Sequence, residues 1–386
     1  MQTYLVGGAV RDALLGQAGS DRDWVVVGST PEAMVAAGFL PVGRDFPVFL
    51  HKKTREEYAL ARTERKSAPG YRGFTVHASP EVTLEEDLAR RDLTINAIAL
   101  PQALADTDVA QNTSALIDPF HGQRDLQARV LRHVTDAFRE DPVRILRLAR
   151  FAARFADFEV APETMTLMRA MVADGEVDAL VAERVWQELS RGLMEPTPSR
   201  MFDVLRACGA LTRLLPEAQE NYDAHRARVV DLAAHHGASL AVRLAVTLRS
   251  LGALAIAKVC ERWRVPVDVR ALGEAVVREC DAIDASAASD AAAIVALLER
   301  CDAFRKPDRF EDILLACDLD AQVRATSHGD GYPPRARLQS SLRAALSVST
   351  AEVARQAQAR GETGPAVGEA IRAARIEAVA AALARS

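Results

Sequence analysis

The chain reads as an α+β protein: a small mixed α/β region followed by a long all-α one. Three observations carry that reading. Up to about residue 135, short apolar runs alternate with helix-like stretches, and turn residues separate them. From Ala137 onward, apolar residues recur at helical spacing in one segment after another. Ala and Leu dominate while aromatic residues make up only 5%, a composition that favours helix. A chain of 386 residues has room for two or three domains. The change of pattern near residue 135 divides it into a mixed region and a long helical one.

In chain order, residues 5–8 and 23–27 are expected strands. Residues 31–37 form a short helix, with Ser29 or Thr30 as its cap and Gly38 as its stop. Residues 46–51 and 56–61 are two further strands in a hairpin. Segment 63–79, rich in Ser, Gly, Pro and basic residues, is expected to be a mobile loop. Thr83 caps a helical turn over 84–90. Beyond Ala137, helices are expected over 138–155, 162–173, 181–194 and 201–215, then Ala-rich helices with loops near 265, 285, 306 and 328–335.

Composition narrows the function. Five cysteines are scattered with no Cys-x-x-Cys pair, so reduced thiols are expected rather than a disulfide framework or a zinc site. The N-terminus carries no basic segment ahead of a long apolar run, which points away from a signal peptide or membrane span and towards the cytoplasm. The net charge of −5 excludes a globally basic nucleic-acid binder. A polyanion site would need local clusters of arginine, and such clusters stand at Arg90-Arg91 and over Arg139, Arg144, Arg147, Arg150 and Arg154.

The most informative string is Gly7-Gly8, then Val10-Arg11-Asp12, then Asp21-Arg22-Asp23 running into Trp24-Val25-Val26-Val27. Residues two apart on a strand face the same way, so Asp21 and Asp23 would aim two carboxylates at one point. Hard oxygens so placed suit Mg²⁺, which favours one or two carboxylates plus substrate phosphates. The glycines let backbone N–H groups approach a phosphate. Together these residues point to metal-dependent phosphoryl or nucleotidyl transfer, against the plainer reading of a surface turn.

A second string, Arg90-Arg91-Asp92-Leu93-Thr94-Ile95-Asn96-Ala97, joins two phosphate-suited guanidiniums to an Asp and an Asn that can bind ribose hydroxyls; a capped helix end is the alternative. The third is Glu140-Asp141-Pro142-Val143-Arg144 continuing to Arg147 and Phe151. Pro142 suits the first helical position and makes Asp141 the N-cap. Ile145, Leu148, Ala152 and Phe155 would be its buried stripe. An Asp acceptor beside an Arg donor can also read the edge of a base.

These strings, in this order and spacing, resemble the class II tRNA nucleotidyltransferases, the bacterial CCA-adding enzymes, with bacterial poly(A) polymerases as relatives. The resemblance is dense over 1–155 and fades into general helical similarity beyond. It implies a nucleotidyltransferase head over 1–135, a helical neck over 136–215 that binds base and RNA, and a body and tail over 216–386 that bind tRNA. It implies Asp21 and Asp23 as catalytic ligands of Mg²⁺, and Gly8 and Arg11 at the triphosphate. Arg91, with Arg90, Asp92 and Asn96, would hold phosphate and ribose. Asp141 and Arg144 would read the base with help from Arg147, and Glu57 stands where a further acid could sit. CTP and ATP would be the substrates, the tRNA 3′ end the acceptor, and diphosphate the product, with no covalent enzyme intermediate. No membrane and no protein partner are implied. A poly(A) polymerase is the rival of like chemistry, and a non-catalytic RNA-binding module the rival of a different class.

One departure stands out. Many relatives carry a C-terminal metal-dependent phosphohydrolase with a His-Asp pair. Here Arg249-Ser250 precedes Leu251-Gly252 at that place, and no His-Asp pair occurs anywhere. His225 and His235-His236, with no acidic neighbour in sequence, read as helix-surface residues. Residues 216–386 are thus expected to keep only a degenerate remnant of such a region.

Overall fold

The computed structural model describes residues 1–17, 21–42, 48–66, 74–218, 222–324 and 332–385, with only the backbone for 64–66 and 74–76. The chain divides into two compact units: 1–192 with 200–214, and 193–199 with 215–386.

The first unit is built on a six-stranded sheet of order β3-β4-β5-β2-β1-β8. Its strands are β1 (Gln2–Val6), β2 (Asp23–Val27), β3 (Leu40–Val42), β4 (Val48–Leu50), β5 (Glu57–Leu60) and, after the hairpin strands β6 (Arg62–Lys66) and β7 (Phe74–Ala78), β8 (Ala99–Pro101). Only β2 and β5 pair in parallel, with Asp23 opposite Glu57, while Val6 of β1 lies opposite Asp23 on the other side. Val6, Asp23 and Glu57 therefore form one row across the end of the sheet. One packed cluster joins Val6 and Val25 to Ala61, Val82, Leu88, Ala97 and Ala99. That core fixes the row against α3 (Leu84–Ala89) and the segment that follows it.

Several local rules set the chain's course here. Gly7 has φ +71° and ends β1, so the strand stops at Val6 and not at residue 8, and α1 (Gly8–Leu14) begins at once. Thr30 caps α2 (Pro31–Ala36), and Gly38 at φ +92° follows its end. Thr83 and Glu86 form a reciprocal capping box on α3. Strand β3 had no signature in the sequence. It is a three-residue edge strand containing Pro41, the position a sheet tolerates for proline. Segment 63–79 is not simply a loop: β6 and β7 pair antiparallel over Arg62–Lys66 and Phe74–Ala78. Its turn-rich stretch over 67–73 lies outside the described residues.

The helices of this unit are α4 (Gly122–Ala128), α5 (Val143–Arg154), α6 (Pro162–Ala173), α7 (Ala182–Leu193), α8 (Ser199–Ala207) and α9 (Ala210–Leu214), with the short parallel pair β9 (Val130–Leu131) and β10 (Glu159–Val160). Two long expected helices are interrupted. The first breaks into a 3₁₀ turn over Asp136–Glu140 and then α5, because the residue before Pro142 is held extended. The second divides at Gly209, φ +85°. Residues 92–96 form a 3₁₀ turn over Thr94–Asn96 rather than an α-helix. The expected stripe of Ile145, Leu148, Ala152 and Phe155 is fully buried.

The second unit contains α10 (Ala224–His235), α11 (Leu240–Leu248), α12 (Ala253–Arg262), α13 (Val267–Asp284), α14 (Ala291–Arg300), α15 (Pro307–Arg324), α16 (Pro333–Leu346), α17 (Thr350–Ala359) and α18 (Pro365–Leu383). Two expectations fail in it. Cys280 on α13 and Cys317 on α15 form a disulfide, whereas Cys208, Cys260 and Cys301 are buried free thiols. The bonded cysteines are 37 residues apart, so only the packing of α13 on α15 brings them together. His225 does have an acidic partner: its Nε2 lies 3.0 Å from Asp320 Oδ1. The same buried carboxylate accepts hydrogen bonds from Arg226 and Arg249 and pairs with Arg324. No helix among the described residues is long and apolar enough to cross a membrane.

Gly122 opens α4 against the 3₁₀ turn of Thr94–Asn96, and a Cβ there would fall 2.2 Å from the Thr94 carbonyl oxygen and 2.8 Å from Ile98 Cγ1. Gly122→Ala should destabilise this unit by about 1–3 kcal/mol, the usual cost of overpacking against backbone. Thermal unfolding checks this, and an unchanged melting temperature would mean that the contact is relieved without loss.

Candidate active site

A cleft of about 670 Å³ opens at the Asp23 end of the sheet, and every site residue singled out in the sequence lines it: Gly8, Arg11, Asp21, Asp23, Glu57, Arg90, Arg91, Asp92, Asn96, Asp141, Arg144 and Arg147. Nine arginines and five carboxylates line it in all, an excess of four positive charges.

The carboxylate group sits on the sheet. Asp23 is the first residue of β2 and shares its row with Glu57, while Asp21 lies just before the strand and not within it. Both aspartates are exposed to the cleft. The Asp23 carboxyl is held above the ordinary aspartate value. Partial desolvation in the cleft is the main cause, the negative charges of Glu57 and Asp21 add to it, and Arg91 opposes it. A carboxylate that is partly desolvated and flanked by other carboxylates is one that a cation would relieve. Among the described residues no group of three or more His, Cys, Asp or Glu is arranged to hold a metal ion by itself. Two open carboxylates suit a hard cation that takes its other oxygens from water and substrate phosphate.

Facing them, Asp87 of α3 organises the arginine pair. Fully buried, it accepts from Arg90 Nη2 at 2.7 Å and from Arg91 Nη2 at 3.2 Å. Burial alone would raise its pKa, but Arg90 and Arg91 outweigh burial and hold it below the usual range. Asp87 went unnoticed in the sequence, although a carboxylate three and four residues before two arginines on a helix was a readable signal.

A second set of charges runs through the protein between α1 and α5. Arg154 Nη2 donates to Asp12 Oδ2 at 2.8 Å, and Arg11 Nε donates to Asp12 Oδ1 at 2.8 Å. Arg11 Nη1 donates to Asn96 Oδ1 at 2.6 Å, and Asn96 Nδ2 donates to Asp92 Oδ1 at 3.0 Å. Arg147 Nε closes the series on Asp92 Oδ2 at 2.8 Å. Arg11 is 3% exposed and lies over the rings of Phe151 and Phe155 at 5.1 and 5.2 Å, and its bonds to Asp12 and Asn96 turn it toward the interior of the protein. Asp92 and Asn96 are likewise buried and mutually bonded.

The start of α5 carries the third group. Asp141 is extended, its Oδ1 accepts from Val143 N at 3.1 Å, and its carbonyl accepts from Arg144 N at 3.0 Å, which is capping geometry. Arg144, 6% exposed, donates from Nη1 to the Ala137 carbonyl at 2.9 Å. Two partners were missed: α7 sends Arg184 to Asp141 and Glu188 to Arg150. They lie 43 and 38 residues away, and no local pattern links them.

A positively charged cleft with paired carboxylates at the end of a sheet and arginines opposite is the site of a phosphoryl- or nucleotidyl-transfer enzyme. Residues 3–132 match the family described as Poly A polymerase head domain, and residues 157–221 match a probable RNA and SrmB-binding site of polymerase A. The chain is 60% identical to the Multifunctional CCA protein of Variovorax paradoxus, over 99% of both chains. It is 52% identical to that of Cupriavidus necator, again over 99% of both. Among solved structures, a CCA-adding enzyme with ATP superposes with a TM-score of 0.68 at 22% identity, over 98% of this chain and 86% of that one. A Thermotoga maritima CCA-adding enzyme complexed with tRNA gives 0.63 at 22%, over 100% and 91%. The chain belongs to the bacterial CCA-adding nucleotidyltransferases. Nucleotidyltransferases of this superfamily generally use a divalent metal.

Asp92 gives a stability test. Burial would raise its pKa, but Arg147, with Asn96 and Arg144, overrides burial and holds the carboxyl far below the usual range. A depressed folded-state value stabilises the protein above the unfolded value near ~4, and that stability is lost as pH falls. Asp92→Asn should therefore lower stability at neutral pH by about 3 kcal/mol, as breaking a buried pair does. It should also make the loss of stability between pH ~5 and ~2 shallower. Denaturant melts across that range check both, and an unaltered pH dependence would count against the pairing.

Proposed function

We propose that this chain adds C, C and A to the 3′ end of tRNA from CTP and ATP, releasing diphosphate, and does so in the cytoplasm. The observation that supports it best is the convergence of Asp21, Asp23, Arg91, Asp141, Arg144 and Arg147 on one cleft in a chain so closely related to CCA proteins. Residues 1–135 act as the catalytic head, 136–215 as the neck that holds base and RNA, and 216–386 as a body that grips tRNA by backbone and shape.

Asp21 and Asp23, with Glu57 beside them, are placed to hold Mg²⁺ at the reacting phosphate. When bound, the ion would supply Lewis-acid stabilisation and a lowered pKa for the attacking hydroxyl. The tRNA 3′ oxygen forms its bond to the α-phosphorus, the α–β bridging bond breaks, and the electron pair and charge leave with diphosphate. The hydroxyl proton passes to solvent. Arg90 and Arg91, steadied by Asp87, offset the leaving charge. The Gly7–Gly8 backbone gives the triphosphate room. Arg11, Asp92 and Asn96 support the cradle from behind through their mutual bonds. Asp141 accepts from the amino group of cytosine or adenine while Arg144 donates to the adjacent ring nitrogen. Uracil and guanine present a carbonyl and an N–H instead and leave polar groups unpaired, a mismatch worth up to roughly 10⁴-fold.

Asp21→Ala and Asp23→Ala should each reduce nucleotide incorporation into tRNA lacking its CCA end by several orders of magnitude, on the order of the electrostatic contribution, with near-native circular dichroism. A variant keeping more than about a tenth of the rate would remove that residue from the metal site. The same assay with each NTP alone separates CCA addition from a poly(A) polymerase, which would extend a general primer with ATP only.

The remnant reading of 216–386 makes its own prediction. Arg249, standing where a His-Asp pair would begin, is bonded to Asp320. Purified protein should show no Ni²⁺- or Mg²⁺-stimulated hydrolysis of 2′,3′-cyclic nucleotides, and measurable turnover would overturn that reading.

A further inference from the structure

Arg184 of α7 donates to both oxygens of Asp141, from Nη1 to Oδ1 at 3.0 Å and from Nη2 to Oδ2 at 2.7 Å. A carboxylate offers about four acceptor directions. The fork from Arg184 takes one on each oxygen, and Val143 N at 3.1 Å takes a second on Oδ1. One direction remains, on Oδ2. We infer that Arg184 is the specificity-positioning residue of the base site: it orients the Asp141 carboxylate so that a single acceptor faces the incoming base.

This inference rests on the reading that Asp141 meets the base edge, and it explains how one aspartate can be selective. An aspartate held only as a helix cap could turn about its side-chain bonds and withdraw from a carbonyl, or admit a bridging water. Either would soften the penalty against uracil and guanine. A carboxylate fixed by a planar two-point fork cannot turn without breaking two charge-assisted bonds. It meets an exocyclic amino group with one acceptor and meets a carbonyl with the same acceptor. Arg144 is fixed in parallel by its bond to the Ala137 carbonyl, so donor and acceptor are both set before the nucleotide arrives.

A purely structural role, in which Arg184 only anchors α7 to α5, is separable. Glu188, one turn further along α7, already bonds Arg150 at 2.7 Å, and both partners of that bond are largely buried. The two helices therefore keep an anchor when Arg184 is removed.

The test is steady-state kinetics of Arg184→Ala, Arg184→Lys, Asp141→Ala and the Arg184→Ala/Asp141→Ala double variant. The primers are tRNA ending before CCA and tRNA ending in CC. The ratio of kcat/KM for CTP over UTP, and for ATP over GTP, should fall by about tenfold or more in Arg184→Ala. Arg184→Lys supplies a single-nitrogen point charge in place of a planar fork and should restore thermal stability but only part of the ratio. The double variant should be no less selective than Asp141→Ala alone, because Arg184 acts through that carboxylate. Ratios within about twofold of the unaltered protein in Arg184→Ala would overturn the inference, as would fully additive losses in the double variant. If Arg184→Ala does not fold, full selectivity in Arg184→Lys would do the same. Unchanged selectivity in Asp141→Ala would instead remove the base-reading role of Asp141 itself, a failure distinct from that of Arg184.

Discussion

A buried carboxylate needs a cation, and Asp92 finds its cation in Arg147, 55 residues further along the chain. Much of the cleft follows from that need. Asp92 also accepts from Leu93 N and Asn96 Nδ2, so the turn after Arg91 is tied to α5 through one side chain. Asn96 then engages Arg11, Arg11 engages Asp12, and Asp12 engages Arg154, which returns to α5 about two turns beyond Arg147. The glycine turn after β1, the turn after α3 and helix α5 are thereby joined by charged hydrogen bonds rather than by apolar packing alone. Removing one member leaves another buried and unpaired, which is costlier than never having placed the pair there. Such a series resists piecemeal change.

The sequence disclosed the parts of this arrangement that are local. Asp21, Asp23, Arg90, Arg91, Asp141 and Arg144 stand in short strings whose chemistry is legible without knowing the fold, and all six line the cleft. The general architecture was legible too, because helical periodicity is strong in α5, α7 and α8. What remained hidden is what long-range packing decides. Arg184 and Glu188 reach partners 43 and 38 residues away, and Arg154 reaches Asp12 across 142. No spacing rule anticipates such pairs. The burial of Arg11 belongs to the same class: an arginine beside two glycines looks available to phosphate until Phe151 and Phe155 are seen to enclose it.

Other misreadings had nearer causes. Turn-forming residues over 67–73 hid the strands β6 and β7 on either side. A proline concealed β3, although at a sheet edge its missing donor faces no neighbour. The disulfide between Cys280 and Cys317 and the ring of arginines around Asp320 both depend on how helices of the second unit stack, which periodicity does not specify.

The contrast between the cleft and the whole chain bears on how polyanions approach the protein. The protein carries a net charge of −5, while its cleft has an excess of four positive charges. Field lines from those arginines are concentrated by the low-dielectric walls around them. Among the described residues the cleft is thus an opening that attracts polyanions in a chain of net negative charge. A small triphosphate or a protruding strand terminus would be drawn toward it. This attraction begins before any contact is made, and added salt would erode it first.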